Sequence, residues 1–317
     1  MDKKLQIGYF ADGPWGHNAF QKIIMDKSLE IKFICVRNEH KDPILVDLGK
    51  KNNIDVLWTD NINSPEFIDK MKKYDVDLFA SMSFNQIFKP EMINLPRLKT
   101  INCHAGKLPF YRGRNILNWA LINDEKEFGI TVHYVDEGID TGDIIQQKTY
   151  EITDEDDYNS LLERAYIGCA EILYKSIKLI QEGNVTPICQ NTIDEVGMYC
   201  GMRTVGDEIL DWNQSSRDAF NFVRAITKPG PCARCYVNDE EIIISKVRMI
   251  DKAHVYKGIP GQIIGKGKNG FYVKTQDTFV ELIEYESENN TKLRVGDRLV
   301  SVRKQVKDKE YACVYNC

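Results

Sequence analysis

A chain of 317 residues exceeds one small module and suits one large domain plus one small one. Hydrophobic residues supply 43% and charged residues 28% of it, an ordinary globular balance that permits a sizeable core. A strongly basic chain would suggest a nucleic-acid partner held by phosphate contacts; the net charge of −5 gives no such indication and leaves room for a local basic site for a nucleotide.

The opening residues MDKKLQIGYFADG hold no apolar run long enough for a signal peptide. No stretch approaches the roughly 20 apolar residues of a membrane helix. A cytoplasmic protein with no membrane partner is expected. The nine cysteines are odd in number and scattered, and several (Cys35, Cys103, Cys169) sit in apolar stretches, which reads as reduced thiols. Cys232 and Cys235 form a CxxC, with Cys313 and Cys317 far downstream. A zinc site needs four well-placed ligands, and no metal is expected.

In chain order, residues 4–10 read as a strand, Asp12-Gly13-Pro14 as a turn and residues 15–25 as a helix. Residues 31–36 are a short apolar run of the kind a buried strand shows. Residues 43–53 look helical, and 56–58 form a third short strand. Ser64-Pro65-Glu66-Phe67 is a helix start with Pro in the first turn. Residues 77–81 and 100–103 are two further strands, with Pro90 opening a short helix between them. This alternation predicts an α/β, Rossmann-like N-terminal domain with a mainly parallel sheet covered on both faces.

Residues 129–134 place Ile130, Val132 and Tyr134 on one side, and 144–150 form a partner strand after a glycine-bounded loop. Residues 154–182 carry leucines and isoleucines at helical spacing. The catalytic domain is placed at 1–183. Residues 184–205 have little periodicity and read as a linker. Beyond it, 206–317, a helix at 216–226 precedes short strands at 234–237, 241–247, 261–265, 270–275, 278–284 and 299–302. That texture predicts a small β-rich, OB-like barrel.

The chemistry gathers at Thr100-Ile101-Asn102-Cys103-His104-Ala105-Gly106, a strand ending in polar side chains and a glycine. Ligands of open α/β sheets sit outside the carboxyl ends of the strands. Side chains repeat every two residues along a strand, so Asn102 and His104 project to one face. An amide N–H can stabilise a forming oxyanion, and an imidazole can move a proton near neutral pH. A lone strand-end histidine is more often structural. A carboxylate from the loop holding Asp136, Asp140 and Asp143 would complete a set suited to acyl transfer to an amine without a covalent enzyme intermediate.

With these residues in place the sequence resembles the folate-dependent formyltransferases. The family pattern is N-x-H at a strand end, a leucine-proline, an arginine-glycine and an aspartate in D-T-G-D. It reads here as Asn102-Cys103-His104, Leu108-Pro109, Arg112-Gly113 and Asp140-Thr141-Gly142-Asp143. The resemblance covers residues 1–180 well and 205–317 more loosely. It implies 10-formyltetrahydrofolate as donor, with Asn102 on the formyl oxygen, His104 assisting proton movement and Asp140 pairing with His104 or shedding the amine proton. It further implies a pterin pocket lined partly by main chain of Phe84, Asn85, Gln86, Ile87 and Phe88 and of Val135, Asp136 and Gly138. Dimerisation through the barrel domain is implied in the same way.

For the acceptor, the second domain argues against a glycinamide-ribonucleotide enzyme. The alternative is methionyl-tRNA formyltransferase, which carries a basic inserted loop after the second strand. Here Val36-Arg37-Asn38-Glu39-His40-Lys41-Asp42-Pro43 is short and mixed in charge. The segments around Tyr9, Asp12, Trp15 and His17, and around Arg112, Arg114 and Asn115, are similar to bacterial enzymes that formylate UDP-, dTDP- or GDP-linked amino sugars for surface glycans. The two arginines read equally as pyrophosphate partners or as structural groups. Trp15 reads as a stacking platform or as core, and Tyr9 and His17 are similarly open. The expected partner is a nucleotide-linked amino sugar, with no nucleic acid.

Overall fold

A computed structural model describes residues 4–303. Packing divides the chain into two units. The first takes the chain up to Leu117 together with Lys126–Thr153 and Ser160–Met202. The second takes Asn118–Glu125, Asp154–Asn159 and the chain from Arg203 onward.

Elements alternate from the start: β1 (Leu5–Ala11), α1 (Gly13–Met25), β2 (Leu29–Cys35), α2 (Pro43–Lys51), β3 (Asp55–Leu57), α3 (Pro65–Lys72), β4 (Leu78–Met82), α4 (Pro90–Ile93) and β5 (Thr100–His104). There follow β6 (Arg112–Gly113), α5 (Ile116–Ile122), β7 (Glu127–Tyr134), β8 (Ile144–Glu151), α6 (Tyr158–Glu182) and β9 (Tyr199–Cys200). The main sheet runs β3-β2-β1-β4-β5-β7-β8. Its first five strands are parallel, while β7 pairs antiparallel with β5 and β8 antiparallel with β7. All five residues of β4 are buried, as expected for a strand covered on both faces. Phe10 anchors the core, meeting Phe33 and Phe88 edge-on at centroid distances of 5.5 and 5.0 Å.

Local chemistry sets the helix starts. Ser64 accepts from the Phe67 N–H at 3.3 Å ahead of Pro65, and Asp42 accepts from the Ile44 and Leu45 N–H groups at 2.9 Å ahead of Pro43. The Asp12-Gly13-Pro14 turn is itself the first turn of α1, because proline fits that position and Asp12 supplies the extended cap residue.

Two features depart from the sequence reading. Helix α5 is formed where no helix is predicted. The stretch 184–205 is not featureless: it holds a 3-10 turn at Gln190–Thr192 and strand β9, which pairs in parallel with β6, and it packs with the first unit as far as Met202.

The second unit contains α7 (Ser216–Ile226) and the strands β10 (Ala233–Val237), β11 (Glu240–Met249), β12 (Ile263–Lys266), β13 (Phe271–Lys274) and β14 (Phe279–Glu286). They form one antiparallel sheet ordered β10-β11-β14-β13-β12. The segment expected as a last strand makes isolated bridges instead. Val300 pairs with Tyr236 on β10, and Arg298 pairs with Gln262 next to β12. It thereby ties the two edge strands together, which is how a small β-barrel protects its edges.

Candidate active site

Strand β5 brings Asn102 and His104 to the carboxyl end of the parallel strands. The loop after β7 brings Asp140 against both. Its Oδ2 lies 3.5 Å from His104 Nδ1, and its Oδ1 lies 3.4 Å from Asn102 Nδ2. The amide, imidazole and carboxylate singled out from the sequence therefore meet in one place.

A fourth group joins them. His133 on β7 is the direct antiparallel partner of Asn102, so the two side chains share a face. Its Nε2 lies 3.3 Å from Asn102 Nδ2 and 3.4 Å from Asp140 Oδ1. The signal for His133 was present in the alternation of residues 129–134, where an ionisable residue stands between Val132 and Tyr134 on the opposite side of the strand.

Neighbouring carbonyls orient both rings. His104 Nε2 is 2.7 Å from the Tyr111 carbonyl oxygen, and His133 Nδ1 is 2.8 Å from that of Tyr134. A carbonyl only accepts, so each of these nitrogens carries the hydrogen. The basic nitrogen of His104 is therefore Nδ1, which faces Asp140.

Asp140 adopts a left-handed backbone, φ 55°, and its Oδ2 accepts the Gly113 N–H at 3.0 Å. Burial by itself raises this carboxyl. The attraction of His104, the hydrogen bond and charge of His133 and the Gly113 N–H outweigh that effect and hold it well below the usual carboxylate range. The group is ionised at neutral pH.

Two glycines make the approach possible. A Cβ on Gly142 would lie 1.9 Å from the Tyr134 carbonyl oxygen, so only glycine lets the aspartate loop run this close to β7. A Cβ on Gly106 would lie 2.5 Å from His104 Nε2 and 2.4 Å from the Tyr111 oxygen, across the bond that orients the ring.

The residues assigned to the acceptor separate into distinct groups. Tyr9 is fully buried and its hydroxyl donates to the Gly16 carbonyl at 2.9 Å, so it is a core residue and offers no atom to a substrate. Arg112 is 3% exposed. Its guanidinium donates to Gln190 Oε1, the Val196 carbonyl and the Tyr199 hydroxyl, so it braces the β6–β9 segment and is not placed for a pyrophosphate. Asp12 pairs with Arg37 at 3.3 Å, and His17 with Asp42 at 2.8 Å. Trp15 packs edge-on against Tyr166 at 4.5 Å. Arg114 and Asn115 are exposed beside Gly113, the residue whose N–H binds Asp140.

In the segment assigned to the donor, four of the five side chains are engaged within the protein, while that of Ile87 is exposed. Phe88 is buried in the core with Phe84 packed against it. Gln86 accepts from Ile62 N–H and donates to the Thr59 carbonyl, and Asn85 donates to Glu39. In the second segment Asp136 Oδ1 accepts from Gly138 N–H and the Thr141 hydroxyl, and Val135 packs on the same core cluster.

Among the described residues, no group of three or more His, Cys, Asp or Glu is placed to hold a metal ion, and no helix is long and apolar enough to cross a membrane. Cys232 and Cys235 are buried, while Cys313 and Cys317 lie outside the described residues.

The chain matches the family described as formyl transferase over residues 32–174, and the formyl transferase C-terminal domain over residues 204–301. It is 34% identical over 245 residues to the methionyl-tRNA formyltransferase of Thermodesulfovibrio yellowstonii, covering 77% of this chain and 76% of that one. It is 35% identical over 214 residues to the bifunctional polymyxin resistance protein ArnA of Wigglesworthia glossinidia brevipalpis. That match takes in 68% of this chain but only 32% of the length of that relative. Two solved structures share the fold. One is WlaRD, a sugar 3N-formyl transferase in the presence of dTDP and 5-N-formyl-THF, with TM-score 0.65 and 21% identity over 90% of this chain and 99% of that one. The other is an N-formyltransferase from Helicobacter canadensis in complex with folinic acid and dTDP-3-aminofucose, with TM-score 0.64 and 21% identity over 90% of this chain and 100% of that one.

Proposed function

The chain belongs to the formyl transferase family and is an N-formyltransferase, and from that premise we propose that it moves a formyl group from 10-formyltetrahydrofolate to the amino group of a nucleotide-linked amino sugar. The donor supplies an activated formyl carbon, and main chain of residues 84–88 and 135–138 would hold its pterin.

The protein's own groups divide the work. Asn102 Nδ2 donates to the formyl oxygen as negative charge develops on it. Its present contacts to His133 and Asp140, at 3.3 and 3.4 Å, are long and yield readily to a better acceptor. The attacking amine must be neutral and must lose a proton as its bond to the formyl carbon forms. Asp140 is held too acidic to be a strong base, so His104 Nδ1 takes that proton and Asp140 stabilises the imidazolium. The bond from the formyl carbon to the donor nitrogen then breaks, and that nitrogen takes up the proton held at His104 Nδ1, which returns the imidazole to its starting form.

The observation that carries the sugar acceptor is the link between β2 and α2. Only Val36–Asp42 joins them, and its arginine and lysine are engaged locally. Arg37 contacts Asp12 and the Ser83 carbonyl, and Lys41 lies over the Trp58 ring at 4.7 Å. Such a link offers no basic arm for the phosphates of an acceptor stem. The likeness to enzymes solved with dTDP or a dTDP-sugar supports the same reading. The identity to methionyl-tRNA formyltransferases, 31% and 34% in two of them, favours the second reading, an initiator-tRNA acceptor.

The test is to incubate the protein with 10-formyltetrahydrofolate and either UDP-, dTDP- and GDP-linked amino sugars or charged initiator tRNA, following tetrahydrofolate release. Release with a nucleotide sugar supports the proposal. Release with tRNA alone overturns the acceptor assignment.

A further inference from the structure

We infer that Gln190 is a positioning residue for formyl transfer, holding the main chain at Asp140 and just after it, at Gly142, while Arg112 fixes the direction of its amide. Gln190 lies in the stretch that reads from sequence as a linker, yet it is 1% exposed. Its Nε2 donates to the Asp140 carbonyl at 2.9 Å and to the Gly142 carbonyl at 2.7 Å. Its Oε1 accepts from Arg112 Nε at 3.1 Å and Nη2 at 2.8 Å.

This arrangement has one orientation. Carbonyls only accept and a guanidinium only donates, so the amide cannot be turned over without facing like against like at both ends. Both amide hydrogens and the carbonyl oxygen are used. The grip falls on a loop that needs holding, because Asp140 occupies the left-handed region that a non-glycine residue adopts only when its surroundings impose it. The same contacts explain why Arg112 is buried. Gln190 thus links the Arg112 guanidinium to two carbonyls of the aspartate loop. A loop released by even 1 Å would carry the carboxylate off His104 Nδ1, and misplacements of that size cost about a hundredfold in rate.

The inference rests on the reading that Asp140 acts in the transfer. Gln190→Met keeps the length of the side chain and removes the amide. We expect kcat to fall roughly 10- to 100-fold, with KM for 10-formyltetrahydrofolate within about twofold of the wild-type value, as for a lost orientation rather than a lost contact. Arg112→Lys cannot make the two-pronged contact and should lower kcat in the same direction by less, and the double variant should fall no further than Gln190→Met alone. If Gln190→Met does not fold, Gln190→Asn carries the test, since an amide one carbon shorter cannot reach both carbonyls and should show the same split. Wild-type kcat in the folded variant, or a loss of kcat matched by an equal loss in the fraction of protein that binds the donor, overturns the inference. Asp140→Asn in parallel separates the two levels. Full activity in Asp140→Asn sinks the catalytic reading of the aspartate, whereas an inactive Asp140→Asn beside a fully active Gln190→Met sinks only the role of Gln190.

Discussion

His104 and Asp140 face each other across 3.5 Å, Nδ1 to Oδ2, while the far nitrogen of the same imidazole is held by the Tyr111 carbonyl at 2.7 Å. The ring therefore has a fixed polarity. The Tyr111 carbonyl only accepts, so it keeps a hydrogen on Nε2 and leaves Nδ1 turned towards the carboxylate.

Removing either partner should expose that polarity. His104→Ala is expected to lower kcat by about 10²–10⁴, the usual worth of a positioned acid–base group. Asp140→Asn should cost a comparable amount, and the double variant should fall no further than the worse single one, because the two act as a unit. Steady-state tetrahydrofolate release measures all three. Intact turnover in His104→Ala would remove the imidazole from the mechanism.

The same carboxylate predicts a pH dependence of stability. Asp140 is more acidic in the folded protein than in the unfolded chain. Its contribution is then fully present above the ordinary carboxylate range, about pH 4, and is lost progressively as pH falls below it towards the folded value. Denaturant unfolding of wild type and Asp140→Asn from pH 6 to pH 2 should show the gap between them narrowing only below about pH 4, by up to roughly 1.4 kcal/mol per pH unit. A gap that stays constant over that range would contradict the assignment.

Gly142 tests the aspartate loop from its other side. Gly142→Ala places a methyl group against the Tyr134 carbonyl oxygen, a backbone atom that cannot swing away. The loop must shift, and kcat should drop about 10-fold or more, with a stability loss on the order of 1–3 kcal/mol. Kinetics and thermal unfolding read the two effects separately. Wild-type kcat would mean that the loop tolerates displacement.

In the second unit, Ser215 accepts the Asp218 N–H at 3.0 Å and its hydroxyl donates to the Asp218 carboxylate at 2.6 Å, closing the first turn of α7. Ser215→Ala should cost about 1 kcal/mol, seen as a lower urea midpoint with an unchanged slope. An unchanged midpoint would show that the cap contributes nothing.

Much of this protein is legible along the chain. The strands β1 to β5 announce themselves as short apolar runs between turn residues, Ser64-Pro65 marks a helix start, and Asn102 and His104 fall two apart at a strand end. These signals survive in sequence because each depends on neighbours only a few residues away. Helix α5 escaped for the opposite reason: Ile116–Ile122 is short and nearly all apolar, so it carries no amphipathic period to read.

What the sequence by itself determined is the family, the mainly parallel sheet and the β-rich second domain, and it singled out Asn102, His104 and Asp140 as a candidate cluster. The tertiary structure decided the rest. Tyr9 and Arg112 look like ligand-binding residues by type, but the packing of α1 turns the Tyr9 hydroxyl inward onto Gly16, and Gln190 captures the Arg112 guanidinium. His133 reaches the site through its register opposite Asn102, and Gln190 through contacts to Asp140 and Gly142 at separations of 50 and 48 residues. Register and long-range hydrogen bonds are set by the way distant segments close on one another, and local composition holds no record of that.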